Sequence, residues 1–307
     1  MRKDTSGSEN ITSVAALLAA AFFWGTTFVA QNLGAGNVGT FTFLALRSIF
    51  GTVIVSGIIA IRKTILSKEK ESEETKKQSF SSVLVAGICC GICLFLGSAL
   101  QQYGIELYVQ DNDTAGTAKA SFITSMYVVM VPVLSVFFKK KPGIKVWIAA
   151  LICVAGLYLL CLSGGMRFTR GDIFELLCAL GFSLQIMVVG HFSERVSSLM
   201  LSAMEFAATA VIATVCMFIF EKPDMASVGA AMPAILYAAV FSNSIAYTCQ
   251  IYGQKRVKPA VASLIMCLES VFGVLSGWLI LHENLSLRQV GGCMLIFAAL
   301  LLTSKET

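Results

Sequence analysis

Long apolar runs constrain the fold of this chain more than any other feature of its sequence. A helix needs about 20 mostly apolar residues to cross the hydrocarbon core of a bilayer, and ten runs of that kind follow one another along the 307 residues. We number them as spans one to ten. They lie at 12–33, 39–61, 81–104, 114–138, 145–163, 172–191, 198–220, 227–252, 259–281 and 286–303. The sequence therefore predicts an all-α membrane protein with ten transmembrane helices.

The composition excludes a soluble globular protein. Hydrophobic residues make up 56% of the chain and charged residues 13%, whereas soluble domains carry about 25% charged residues. So few polar side chains cannot cover a soluble core, and the lipid bilayer is the expected surrounding. The first apolar run is too long for the core of a signal peptide, and we interpret it as a retained span.

All ten cysteines lie inside the apolar runs, where a free cysteine behaves as a small packing residue. Cys90 and Cys93 have the spacing of a metal-binding pair. However, no second cysteine pair and no histidine cluster completes a tetrahedral site. The sequence therefore predicts no metal and no other cofactor.

Lysine and arginine residues set the expected orientation, because cytoplasmic loops retain positive charge. With the N-terminus inside, most of the 23 Lys and Arg residues fall in cytoplasmic segments, including the charged segment 62–79 and the lysines at 139–141. The sequence thus predicts a multi-pass protein of the cell membrane whose two tails, 1–11 and 304–307, are both cytoplasmic.

The two halves of the chain resemble each other in several short matches that recur in the same order. These pair Leu17-Leu18-x-Ala20 with Leu176-Leu177-x-Ala179, Ala45 with Ala203, Gln101-x-Tyr103-Gly104 with Gln250-x-Tyr252-Gly253, and Ala120-Ser121-x-Ile123 with Ala262-Ser263-x-Ile265. The pattern predicts a five-helix repeat at 12–163, a connecting loop at 164–171 and a second five-helix repeat at 172–303. Since five is odd, the second copy enters the membrane from the opposite side, which is a recurrent build of secondary transporters.

Several motifs within the spans resemble those of one transporter family. They are Phe23-Trp24-Gly25-Thr26-Thr27-Phe28 in span one, Leu46-Arg47-Ser48 in span two, the stretch 124–132 in span four, and Leu268-Glu269-Ser270-Val271-Phe272 in span nine. With these motifs the chain resembles the EamA family of the drug/metabolite transporter superfamily over nearly its whole length, although Ser270 stands where that family often has proline. The resemblance implies transport of small metabolites, with export favoured, through a central cavity among spans three, four, eight and nine.

Charged side chains within the spans are the first candidates for a functional site. Such a residue near the bilayer centre costs on the order of 3 kcal/mol, so each is expected to face protein or a water-filled cavity. Four stand out: Arg47, Lys119, Glu205 and Glu269. Glu269 lies near the midplane, and we interpret it as a carboxylate that binds a substrate amine or carries a coupled proton. A structural pair with Lys119 or Arg47 is the alternative.

The other three charged residues allow more than one interpretation. Arg47 and Glu205 occupy equivalent positions in the repeat but carry opposite charges. We predict that they are scaffold residues, joined in an ion pair or acting as hydrogen-bond anchors. Lys119, near one end of span four, either extends its ammonium group to the interface or binds an anion.

Uncharged polar residues extend the candidate site. Asn243, Tyr247, Gln250 and Gln254 recur at helical spacing on one face of span eight, where exposure to lipid would leave their hydrogen bonds unmade. Hydrogen bonding between helices, without any ligand, is the alternative. The predicted substrate-binding residues are Trp24, Lys119, Tyr127, Gln185, Asn243, Tyr247 and Glu269.

These features favour a secondary transporter that moves a small organic solute by alternating access. An amine-bearing or amino-acid-like solute is favoured; nucleosides, sugars and drugs are alternatives, as is a membrane sensor or scaffold without transport. The chain has no P-loop motif for ATP, and its two histidines, His191 and His282, form no catalytic constellation, so no enzyme is predicted. Nucleic acid is not an expected partner, and the protein is expected to be a monomer or a homodimer.

Overall fold

A computed structural model describes residues 3–66, 79–113, 116–161, 168–281 and 286–303. It confirms the predicted all-helical fold with ten spans. They are Lys3–Ala35, Thr40–Leu66, Phe80–Gln110, Gly116–Phe137, Ile144–Cys161, Arg170–Phe192, Ser198–Phe220, Met225–Gly253, Pro259–Met266 with Leu268–Leu281, and Leu287–Thr303. Within the described ranges, nine spans are long and apolar enough to cross a bilayer, and Leu287–Thr303 is a shorter apolar helix. The predicted tail 304–307, most of the predicted loop 164–171 and His282 lie outside these ranges.

Spans four and nine are each interrupted partway along. Span four consists of Gly116–Thr124 and Tyr127–Phe137, and span nine of Pro259–Met266 and Leu268–Leu281. Because the internal repeat pairs Ala120 with Ala262, the two interruptions fall at equivalent positions of the two halves. Tyr127 and Glu269 are therefore equivalent residues, and each follows an interruption closely.

Span eight changes its helical pitch along its length. It is α-helical over Met225–Tyr237, π-helical over Ala238–Tyr247 and α-helical again over Thr248–Gly253. Such i→i+5 segments occur frequently at functional sites. The uniform α-helical spacing that we predicted for the polar face of this span therefore does not hold, although all four of its polar residues are buried.

Glycines let the helix backbones approach one another closely. A Cβ atom added to Gly25 in span one would lie 2.5 Å from the carbonyl oxygen of Glu269 in span nine. One added to Gly91 in span three would lie 2.8 Å from the carbonyl oxygen of Glu205 in span seven. Larger residues at either position would push the spans apart, so these glycines serve contacts within one chain, as is common in membrane helix bundles.

Large apolar side chains cover the outside of the bundle. Val53, Val211, Phe218 and Leu301 are each more than 60% exposed, and they lie on spans two, seven and ten. Extensive exposed apolar surface is unusual for a soluble monomer but is expected of a surface that contacts lipid. The protein is thus a multi-pass membrane protein.

Spans two and seven are joined at one end by a carboxylate. Glu221, directly after span seven, accepts hydrogen bonds from the backbone N–H groups of Phe41 and Thr42, both at 2.7 Å, and from the Thr42 hydroxyl at 2.6 Å. The first N–H groups of a helix have no acceptor within the helix, and a negative charge there is favoured by the helix dipole. Glu221 therefore completes the N-terminus of span two.

We expect Glu221→Ala to lower the free energy of unfolding by about 1.5–3 kcal/mol, because it removes hydrogen bonds to a charged acceptor and leaves N–H groups unpaired. The apparent unfolding midpoint in detergent measures the effect. Lys222→Ala, at the exposed neighbouring position, is the matched control. Equal midpoints for the two variants would contradict this role.

Candidate functional site

A small central cavity, with a volume of about 40 Å³, lies beside the interruptions of spans four and nine. Its lining residues are Trp24, Phe28, Gln31, Arg47, Gln101, Thr124, Tyr127, Phe182, Gln185, Ile186, Ser242, Tyr247, Gln250, Met266 and Glu269. They come from spans one, two, three, four, six, eight and nine. Five residues of the predicted substrate-binding set thus line one cavity, whereas Lys119 and Asn243 are not among its lining residues.

Glu269 is the single acidic residue among the described residues that line the cavity. Its Oε1 accepts a hydrogen bond from the Tyr127 hydroxyl at 2.9 Å and a longer one from the Ser125 hydroxyl at 3.4 Å. Its side chain forms no ion pair with a cation in the described ranges, so the alternative pairing with Lys119 or Arg47 is not observed. The carboxyl group is thus held in place by neutral donors and lines the cavity without a protein cation beside it in the described ranges.

Aromatic rings form another part of the cavity wall. The rings of Trp24 and Tyr247 meet edge to face with their centroids 4.8 Å apart, and Phe206 packs edge to face behind Tyr247 at 6.1 Å. The indole N–H of Trp24 is buried and has no hydrogen-bond acceptor within the described residues. A packed ring with an unused donor is suited to contacting a bound molecule, since buried indole N–H groups usually find a partner.

Two glutamine pairs cross between spans at the cavity. Gln31 donates to Gln101 at 2.8 Å, joining spans one and three. Gln250 donates to Gln185 at 2.9 Å, joining spans eight and six. Because Gln101 and Gln250 are equivalent in the repeat, each half of the protein supplies one such pair. Both pairs satisfy amide groups that lipid could not.

Arg47 and Glu205 do not form an ion pair. Glu205 accepts a hydrogen bond from Gln185 at 2.8 Å, which is the hydrogen-bond anchoring that we gave as one alternative. Arg47 instead lines the cavity, with its guanidinium carbon 5.9 Å from the ring centroid of Phe43. Asn243 donates to the Arg47 backbone carbonyl at 3.4 Å, so it helps to position span two.

Lys119 is buried and is not among the residues that line the cavity, so the predicted extension to the interface is wrong, whereas anion binding stays a prediction. Its ammonium group lies 3.0 Å from Asp113 and 3.2 Å from Asp172, and 5.2 Å from the ring centroid of Tyr108. Buried charges need this kind of compensation. Lys119 is therefore the centre of an ion cluster that ties together spans three, four and six.

Two buried acidic residues escaped the sequence analysis. Asp172 accepts a hydrogen bond from Tyr108 at 2.6 Å, and Glu175, with no exposed surface, accepts one from Thr124 at 2.9 Å. Both lie in the first two turns of span six. The hydropathy pattern places this start of the span at the edge of the membrane. The spacing of Asp172 and Glu175, which places both on one face of the helix, was the sequence signal that could have identified them. However, acidic residues are also common at helix N-termini, because the helix dipole favours a negative charge there.

The fold and the cavity define a class: this chain is a membrane transporter. It belongs to the EamA-like transporter family, whose sequence model matches residues 11–162 and 169–305. It is 27% identical to an uncharacterised transporter of Archaeoglobus fulgidus over 98% of this chain and 90% of the relative. It is 22% identical to the uncharacterised transporter YoaV of Bacillus subtilis, over 91% of this chain and 92% of the relative. A solved crystal structure shares the fold, with a TM-score of 0.74 and 20% identity over 96% of both chains.

We expect Lys119→Met to destabilise the protein by about 3–5 kcal/mol, because it leaves buried carboxylates without their cation. The unfolding midpoint in detergent measures the loss, with the exposed Lys145→Met as the control. Adding Asp172→Asn to Lys119→Met should recover part of the loss by removing one uncompensated charge. If Lys119→Met and Lys145→Met unfold at the same temperature, the ion cluster does not stabilise the bundle.

Proposed function

We propose that this protein is a secondary transporter of small amine-bearing, amino-acid-like solutes, and that Glu269 binds the amine. One observation carries the proposal. Of the described residues lining the cavity, Glu269 alone is acidic, and its partners are hydroxyl groups rather than a cation. An unpaired carboxylate at membrane depth is costly and is usually functional. An ammonium group of a solute supplies the missing positive charge.

The aromatic wall supports the same class of solute. An ammonium group is attracted to the face of an aromatic ring within about 6 Å, and Trp24, Tyr127 and Tyr247 line the cavity together with Glu269. The apolar surface of these rings and of Phe182 also suits the carbon skeleton of an organic solute. The cavity therefore combines the Glu269 carboxyl group with an aromatic surface.

The internal five-helix repeat supports alternating access as the transport mechanism. The interruptions of spans four and nine occupy equivalent positions, and the residues Tyr127 and Glu269 that follow them contact each other at 2.9 Å. Inverted repeats allow two related packings that open the same central site to opposite sides of the membrane. The interrupted spans are the places where the backbone can bend between these packings.

The proposal also covers the direction of transport, the location of the protein and its coupling to protons. Export is favoured by the family resemblance, and a cell-membrane location with both termini in the cytoplasm by the distribution of Lys and Arg. Glu269 is also the candidate for proton coupling, since a carboxylate that releases an amine can take up a proton in its place. Acidification would then weaken amine binding, because protonation removes the charge that the amine contacts.

We expect Glu269→Gln to weaken amine binding at least about tenfold, because a hydrogen bond to a charged group is worth about 1.5–3 kcal/mol. Ligand-induced shifts of the unfolding midpoint, measured at two pH values over amino acids, polyamines, nucleosides, sugars and cationic drugs, report binding. Glu205→Gln is the control, since Glu205 is equally buried but does not line the cavity. A panel in which only neutral sugars bind would reject the substrate class.

Alternating access predicts trans-stimulation. Proteoliposomes loaded with an unlabelled amine should take up the labelled amine faster than empty ones, because the loaded carrier returns to the outside occupied. Cells that make the protein should also release preloaded amine faster than cells that make Glu269→Gln. Uptake that is indifferent to internal solute would instead indicate a channel.

A further inference from the structure

Arg47 is a buried cation without a counter-charge in the described part of the chain. It is 3% exposed and lines the central cavity. No Asp or Glu of the described ranges forms an ion pair with it, and its Nε–H has no hydrogen-bond acceptor there. An arginine cannot escape this situation by losing its proton. A buried charge without a partner is strongly unfavourable. An anion bound in the cavity would therefore stabilise the charge of Arg47.

Neither Glu269 nor Glu205 forms an ion pair with Arg47. Glu269 is held by Tyr127 and Ser125, and Glu205, the repeat equivalent of Arg47, is held by the amide of Gln185. The two halves thus provide similar scaffolds but opposite charges at this position. Arg47 lines the cavity, whereas its equivalent Glu205 is not among the lining residues.

A second unused donor lies in the same cavity. The indole N–H of Trp24 is buried without an acceptor among the described residues, and Trp24 and Arg47 both line the cavity. A carboxylate can accept two parallel hydrogen bonds from a guanidinium group, and a further one from an indole N–H.

We propose that Arg47, assisted by Trp24, is the binding subsite for a carboxylate group of the transported solute. This inference rests on the proposed function and deepens it, because Glu269 lines the same cavity as the subsite for the amine. The solute is then a zwitterion that carries its two charges to different walls of one cavity. Simple amines and simple carboxylates would each satisfy only one of the two subsites.

The experiment compares carboxylates with their neutral amides. The probes are benzoate and benzamide, L-phenylalanine and L-phenylalaninamide, and L-leucine and L-leucinamide, each titrated against the unfolding midpoint in detergent. We expect each acid to raise the midpoint of the wild type more than its amide does. In Arg47→Gln this preference should disappear, with the apparent affinity for the acid about tenfold weaker or more.

Two further variants keep the test decisive. Arg47→Lys retains the charge but loses the planar fork, so we expect a reduced preference for acids; this variant decides the question if Arg47→Gln does not fold. Arg62→Gln, an exposed position on the same span, should keep the full preference. Equal shifts by acids and amides in the wild type, or a full preference for acids in every Arg47 variant that folds, would overturn the proposal.

The two proposals can fail separately. A preference for acids that depends on Arg47, found in a protein without flux in proteoliposomes, would support the subsite and reject transport. Amine flux that depends on Glu269, found in a protein that treats acids and amides alike, would support transport and reject the carboxylate subsite.

Discussion

Inside a bilayer, a polar group without a partner in the protein has no water to replace that partner, and most of the interior of this bundle reflects that constraint. Gln31 binds Gln101, Gln185 binds Gln250, and Lys119 lies between two carboxylates. Each of these contacts joins different spans, so hydrogen bonding and helix packing stabilise the same arrangement. Among the buried polar atoms that have no partner in the described residues, those of Trp24 and Arg47 belong to residues that line the central cavity, where we propose that a solute completes the pairing.

The internal repeat brings the two interrupted spans together beside the cavity. The interruptions of spans four and nine fall at equivalent positions and bring Tyr127 and Glu269 into contact near the centre of the fold. The equivalence is one of backbone and position, not of charge. The repeat equivalent of Tyr127 is Glu269, and the repeat equivalent of Arg47 is Glu205. A nearly symmetric scaffold therefore carries an asymmetric site, which suits a solute whose two ends differ.

The sequence predicted the spans well because crossing a bilayer imposes a length and an apolar composition on each helix. It also identified Glu269, Trp24, Tyr127, Gln185 and Tyr247 as candidate site residues, all of which line the cavity. It did not predict that Lys119 pairs with Asp113 and Asp172. The reason is that Asp172, which lies 3.2 Å from Lys119, is distant in sequence and looked like an ordinary polar residue at the start of a span.

The sequence by itself determined that this chain is a ten-span membrane protein with two related halves, since hydropathy and self-similarity are local properties of the chain. Only the tertiary structure decided which charges meet. It directed Glu205 to Gln185 and left Arg47 facing the cavity, although the repeat makes the two positions equivalent. The physical reason is that the energy of a buried charge depends on what surrounds it within a few ångströms, and those neighbours come from other spans.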